Sequence, residues 1–261
     1  FCVERPLLPI FKTHCTLRQS KEPNRNSYFC TVNMKHLLLF FLTLSGGCVL
    51  AQPTYNELDE EGRRHGVWQK DFPEGGTRYR GTFEHGKEVG TFTFFYPDGK
   101  PAAIKEYGKG MGDCYATMYH VGGKLFAQGS YVDTFKVGLW NYWDVQGNYV
   151  ARENYIEGLQ QGPQYSFYID STVAEITHYE KGVLDGPWSI YFEDGTLRAK
   201  GSYLNDALEG VAEYYNPEGG IDSKGKYAKG LKEGWWIFYE NKKPIRKVRY
   251  HRGRQEEAEE L

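Results

Sequence analysis

From residue 62 to residue 253, apolar and polar positions alternate in short bursts that are broken at even intervals by glycine. In the stretch from Leu197 to Tyr203, Leu197, Ala199, Gly201 and Tyr203 share one parity, while Arg198, Lys200 and Ser202 take the other. Period-two alternation of this kind predicts a half-buried β-strand. A short aromatic and β-branched run, Trp188 to Phe192, precedes it, and Asp194-Gly195 lies between the two. Such a pair between two strand-like runs predicts a hairpin with a type I′ turn, in which both central residues have φ > 0.

The unit recurs. Gly66, Gly90, Asp113, Gly138, Gly162, Gly186, Gly210 and Gly234 follow one another at steps of 24, 23, 25, 24, 24, 24 and 24 residues. A fixed period of this size predicts a supersecondary unit stacked on copies of itself. Two positions after each marker stand Trp68, Phe92, Tyr115, Trp140, Gln164, Trp188, Ala212 and Trp236. Four positions after it stand Lys70, Phe94, Thr117, Tyr142, Ser166, Ile190, Tyr214 and Phe238. Five positions after it stand Asp71, Phe95, Met118, Trp143, Phe167, Tyr191, Tyr215 and Tyr239. Offsets two and four share one face of a strand and offset five points the other way, so both faces carry rings. The expected fold is all-β: an elongated single-sheet antiparallel meander of about eight stacked 24-residue hairpins, or about sixteen strands.

Gly138-Leu-Trp-Asn-Tyr-Trp-Asp-Val-Gln-Gly147 and Gly186-Pro-Trp-Ser-Ile-Tyr-Phe-Glu-Asp-Gly195 share the pattern Gly-x-Trp-x-x-Tyr/Trp-x-x-x-Gly. This pattern resembles the variant MORN repeat (membrane occupation and recognition nexus) of bacteria, found in chains often labelled YwqK-type antitoxin components. The resemblance covers residues 62–253. It implies stacked β-hairpins and a binding or scaffolding role rather than catalysis. The third unit departs from the pattern, with Asp113 for glycine and no tryptophan.

Upstream of the repeats the alternation disappears. Met34 opens a segment with Lys35 as its positive end, an apolar run from Leu37 to Leu44, and Val49-Leu50-Ala51 before Gln52. This is the pattern of a secretory signal peptide over residues 34–51, too short to cross a bilayer. Residues 1–33 are expected to precede the natural start. Ser45-Gly46-Gly47-Cys48 has a lipobox character, which would anchor the chain through a lipidated Cys48. The chain is therefore expected to be exported, to the periplasm, the outer membrane or the outside of the cell. At the other end, residues 254–261 form an acidic run with no apolar face, expected to be a disordered tail.

Charge narrows the partners. Residues 1–51 carry six Lys/Arg and two Asp/Glu, so their removal leaves 26 basic and 32 acidic groups, a net charge of −6. This argues against nucleic acid as a partner and against simple attraction to anionic lipid. Cleavage would also leave Cys114 as the only cysteine, with no intramolecular disulfide open to it.

The search for chemistry gives no catalytic constellation. His65, His85, His120, His178 and His251 are scattered, without the spacing of a metal site. No cofactor, metal or enzymatic activity is expected. The aromatic rows are the one feature suited to binding, through Trp140, Tyr142, Trp188, Tyr214, Trp236 and Phe238 on successive units. A protein partner at the envelope is the first expectation. A glycan that stacks on the rings is the alternative, and a peripheral membrane role the third.

Overall fold

The computed structural model describes residues 54–108 and 112–261. The signal-like segment and Cys48 lie outside the described residues. Within the described unit there is no helix. Twenty-one strands form one open antiparallel sheet, and each long strand pairs with the strand before and the strand after it in the chain. The result is a meander of hairpins. Four of the strands have only two residues. Three of these, Leu159–Gln160, Val183–Leu184 and Ala207–Leu208, are the first pieces of strands that resume at Gly162, Gly186 and Gly210.

The register explains the marker. In the pairing of Leu125–Val132 with Phe135–Trp143, Val137 faces Ser130 and Asn141 faces Gln128. Gly138, Leu139 and Trp140 are thus left opposite the single residue Gly129. Gly138 takes up this bulge at φ 65°. Left-handed backbone is open to glycine at little cost, whereas a side chain would strain it.

The third unit has no bulge at its marker. Tyr107 to Ala103 pair with Cys114 to Met118 in unbroken register. Its marker position is Cys114, which faces Tyr131 as Gly138 faces Tyr155. The irregular steps of 23 and 25 therefore disappear: Cys114 lies 24 residues from both Gly90 and Gly138. Ala116, Met118 and Tyr119 stand at offsets two, four and five, in place of Tyr115, Thr117 and Met118.

The turns differ from expectation. At Asp194-Gly195 only the glycine has positive φ. The Gly195 amide donates to the Phe192 carbonyl and the Phe192 amide to the Thr196 carbonyl. This is a type I turn closed by a left-handed residue in a G1 bulge. Asp194 Oδ1 accepts the Thr196 amide at 2.8 Å, which stabilises that loop over the tighter one. Type I′ geometry belongs instead to the linking turns between units, with φ 51° and 83° at Lys181-Gly182 and 51° and 79° at Lys229-Gly230.

The acidic end is also ordered. Arg254–Glu260 is a strand paired with the basic strand Lys243–His251. Lys247 Nζ meets Glu259 Oε2 at 2.7 Å, and Arg246 and Arg249 face Glu260 and Glu257 across the ladder. Opposite charges at facing positions account for a strand where composition alone suggests a solvated end.

Candidate functional site

One face of the sheet is built from rings lying on glycines. A Cβ on Gly81 would fall 2.3 Å from the Phe92 ring, and Cβ atoms on Gly129 and Gly225 would come as close to Trp140 and Trp236. Each of these rings belongs to the strand that follows its glycine. The missing side chain lets the ring lie against the neighbouring backbone, and Trp140 and Trp236 are left 0% and 1% exposed. Trp140 Nε1 donates to the Ser130 carbonyl at 3.1 Å and Trp236 Nε1 to the Lys226 carbonyl at 3.2 Å.

Trp188 turns the other way. The strand before it carries Thr177 where Gly129 and Gly225 stand in their units. The strand after it offers Gly201, left free because the next unit has Ala212 at the ring position. Trp188 Nε1 points there, 2.9 Å from where a Gly201 Cβ would be. Trp188 is 5% exposed and its Nε1 has no hydrogen-bond partner among the described residues.

The six residues expected to form a binding face are thus divided. Burial between strands removes Trp140, Trp188 and Trp236 from contact with a ligand and makes them packing groups. Tyr142, Tyr214 and Phe238 lie half-buried beside them on the same face. Sequence spacing set the common face correctly, but the depth of each ring depends on the glycine of the adjoining strand.

Cations cover these rings. Lys136 Nζ lies 4.7, 5.1 and 5.0 Å from the ring centres of Trp140, Tyr142 and Tyr155. Lys232 Nζ lies 4.0 and 5.1 Å from those of Trp236 and Tyr250. Arg64 occupies the corresponding place over Trp68 and Phe83. Ammonium groups are attracted to ring faces. Burial pushes the pKa of both lysines down, opposed at Lys136 by the Glu153 carboxylate. Lys136 Nζ also donates to the Tyr142 hydroxyl at 2.8 Å, and Tyr155 donates to Glu153 Oε2 at 2.5 Å.

The opposite face carries a second row that the candidate set did not include. Phe95, Tyr119, Trp143, Phe167, Tyr191, Tyr215 and Tyr239 stand at offset five, 24 residues apart and half-buried. Tyr149 fills the space between two of them, 5.4 Å from Trp143 and 4.7 Å from Phe167. The next residue along often bonds to the following unit. The Tyr96 hydroxyl donates to the Tyr119 carbonyl and that of Tyr168 to the Tyr191 carbonyl, both at 2.7 Å.

Asp59, Glu61 and His85 are the one group among the described residues with the spacing of metal ligands. The Arg63 guanidinium already stands among them, with Nε 2.8 Å from Asp59 Oδ2 and Nη2 2.9 Å from His85 Nδ1. An internal cation thus occupies that place. Cys114 is buried, and desolvation raises its thiol pKa, which suits packing rather than nucleophilic attack.

Residues 88–108 and 184–205 match the MORN repeat variant. Each match spans one hairpin: Lys87–Phe95 with Pro101–Tyr107, and Gly186–Tyr191 with Leu197–Leu204. The matches, together with the same register in the intervening units, support a MORN-repeat protein. MORN repeats are generally modules of protein and membrane interaction and are generally non-catalytic. No curated protein matches the chain.

Proposed function

We propose that this chain is a non-enzymatic, exported scaffold whose repeats hold a partner protein at the cell envelope. The observation that carries the reading is the offset-five row. A single-layer sheet presents half-exposed rings at a constant interval along one face, with Lys200 and Lys224 over Tyr215 and Tyr239 at 5.8 and 5.7 Å. Aromatic rings are enriched at the cores of protein-binding surfaces, and polar groups form their rims. Export rests on the Met34–Gln52 segment. The Gly-x-Trp hairpins favour the bacterial YwqK-type group within MORN-repeat proteins.

Crosslinking in the native envelope tests this. The wild-type chain is expected to capture a reproducible set of proteins, and Trp143→Ala with Phe167→Ala to lose it while keeping the fold. Recovery of the chain from the cytoplasm alone, or an unchanged set of captured proteins, would overturn it.

The close Tyr149 and Phe167 rings favour a second reading, a glycan that stacks on them. Retention on insoluble peptidoglycan that a soluble sugar competes away would support that reading. A peripheral membrane role, with or without lipidated Cys48, would show in liposome flotation.

A further inference from the structure

A cavity of about 140 Å³ opens on the ring-bearing face between the strands Tyr149–Ile156, Gly162–Phe167 and Val173–Glu180. Its position in the repeat is the same as that of the Lys136 and Lys232 cages. Tyr155, Tyr179 and Tyr250 face Gly138, Gly162 and Gly234. By the same count Gln160 stands where Lys136 and Lys232 stand, Gln164 replaces Trp140 and Trp236, and Ser166 replaces Tyr142 and Phe238. The fifth unit is therefore a cage without its built-in cation and without two of its rings. Gln164 keeps the backbone contact of the lost indole: its Nε2 donates to the Asn154 carbonyl at 3.2 Å, ten residues back, as Trp140 donates to Ser130. The shorter side chains leave the space above open.

The walls have gained negative charge. Glu175 faces Ser166, where Ala151 faces Tyr142 in the preceding unit. It is half-buried and has no ion pair or hydrogen bond among the described residues. Glu153 lies on the other wall. Both carboxylates help to raise the Tyr179 phenol pKa, after burial as the main cause, so both bear on the same ring. A carboxylate with no counter-charge of its own is a ready partner for a cation placed beside it.

We propose that this cavity binds a small organic ammonium ion, held by Glu175 and the Tyr179 ring in the place that Lys136 and Lys232 fill in their own units. The volume suits an unbranched primary amine of a few carbons. The chain's own lysines show that this face accepts an ammonium against tyrosine and carboxylate.

Calorimetric titration of the full chain with n-butylammonium chloride, and with neutral n-butanol at matched ionic strength, tests the proposal. The wild type is expected to bind the ammonium saturably and the alcohol not at all. Glu175→Gln should weaken binding by at least about tenfold, by loss of the ionic partner. Ser166→Phe restores a ring found at this position in Phe94 and Phe238, so it should fold with an unchanged circular dichroism spectrum and abolish binding. No saturation below about 20 mM, a range in which even weak millimolar binding is visible, would overturn the proposal. So would equal binding of the alcohol, or unchanged affinity in a folded Ser166→Phe or Glu175→Gln variant.

Discussion

The indole of Trp140 lies directly on Gly129, so close that a Cβ on the glycine would stand 2.3 Å from ring carbons. Gly129→Ala should therefore destabilise the protein by about 1–3 kcal/mol through overpacking. Trp140→Ala alone should cost about 3–5 kcal/mol. The two losses should not add, because removal of the ring makes room for the methyl group. Denaturant midpoints of both single variants and the double variant measure the coupling.

Trp188 is buried, though slightly less deeply than Trp140, and lacks its hydrogen bond. Trp188→Ala should cost about 3–5 kcal/mol, as for any large buried ring. Phenylalanine separates the two sites. Trp140→Phe gives up a satisfied donor, whereas Trp188→Phe removes an unsatisfied one, so the second should cost less by about 1 kcal/mol or more. Equal losses would mean that water or a neighbour satisfies Trp188 in solution.

Burial raises the Tyr107 and Tyr155 phenols to about 12, with Glu88 adding at Tyr107 and the Glu153 hydrogen bond at Tyr155. An acid whose pKa is higher in the folded state stabilises that state while it stays protonated. This contribution is complete below the unfolded pKa of about 10 and is lost as pH rises through the folded value. The ultraviolet titration of tyrosine should show these phenols ionising late, with unfolding setting in between pH 10 and 12.

The hairpin aspartates act at the other end of the scale. The Asn148 side chain is the main cause of the lowered Asp144 pKa, and the Thr196 amide of the lowered Asp194 pKa. A depressed carboxyl stabilises the fold above its unfolded pKa of about 4 and ceases to as pH falls through the folded value. Acid titration should loosen the hairpin loops first. Asp194→Ala should remove that part of the pH dependence, read by amide exchange at Gly195 and Thr196.

Truncation after Gly253 removes the final strand and leaves Lys243–His251 as an edge. Faster amide exchange is expected along that strand, in the groups now paired with residues 254–260. Unchanged exchange would mean that the acidic segment leaves the ladder in solution.

Much of this was legible because the period belongs to the backbone. Glycine at the bulge, rings at offsets two and four, and opposed rings at offset five all follow from fixed geometry, and so does the meander. Other features depended on neighbours in space. Cys114 hides the third marker because its strand pairs without a bulge and needs no left-handed residue there. The Asp194-Gly195 loop is decided by where the aspartate directs its carboxylate, which the dipeptide alone does not specify. The depth of a ring is set one strand away, by glycine at position 129 and threonine at position 177. The last strand forms through charges on Lys247 and Arg249 that lie outside the acidic run itself.

In the hydrogen-bonded ladders each long strand pairs only with the strands that precede and follow it in the chain. Excising one 24-residue segment between equivalent bulges, such as Gly186 to Glu209, joins like to like and leaves every remaining hydrogen-bond ladder whole. The length of the array can therefore change by insertion or loss of whole modules, with the span of its ring-bearing face altered in even steps and the chemistry of each unit left intact.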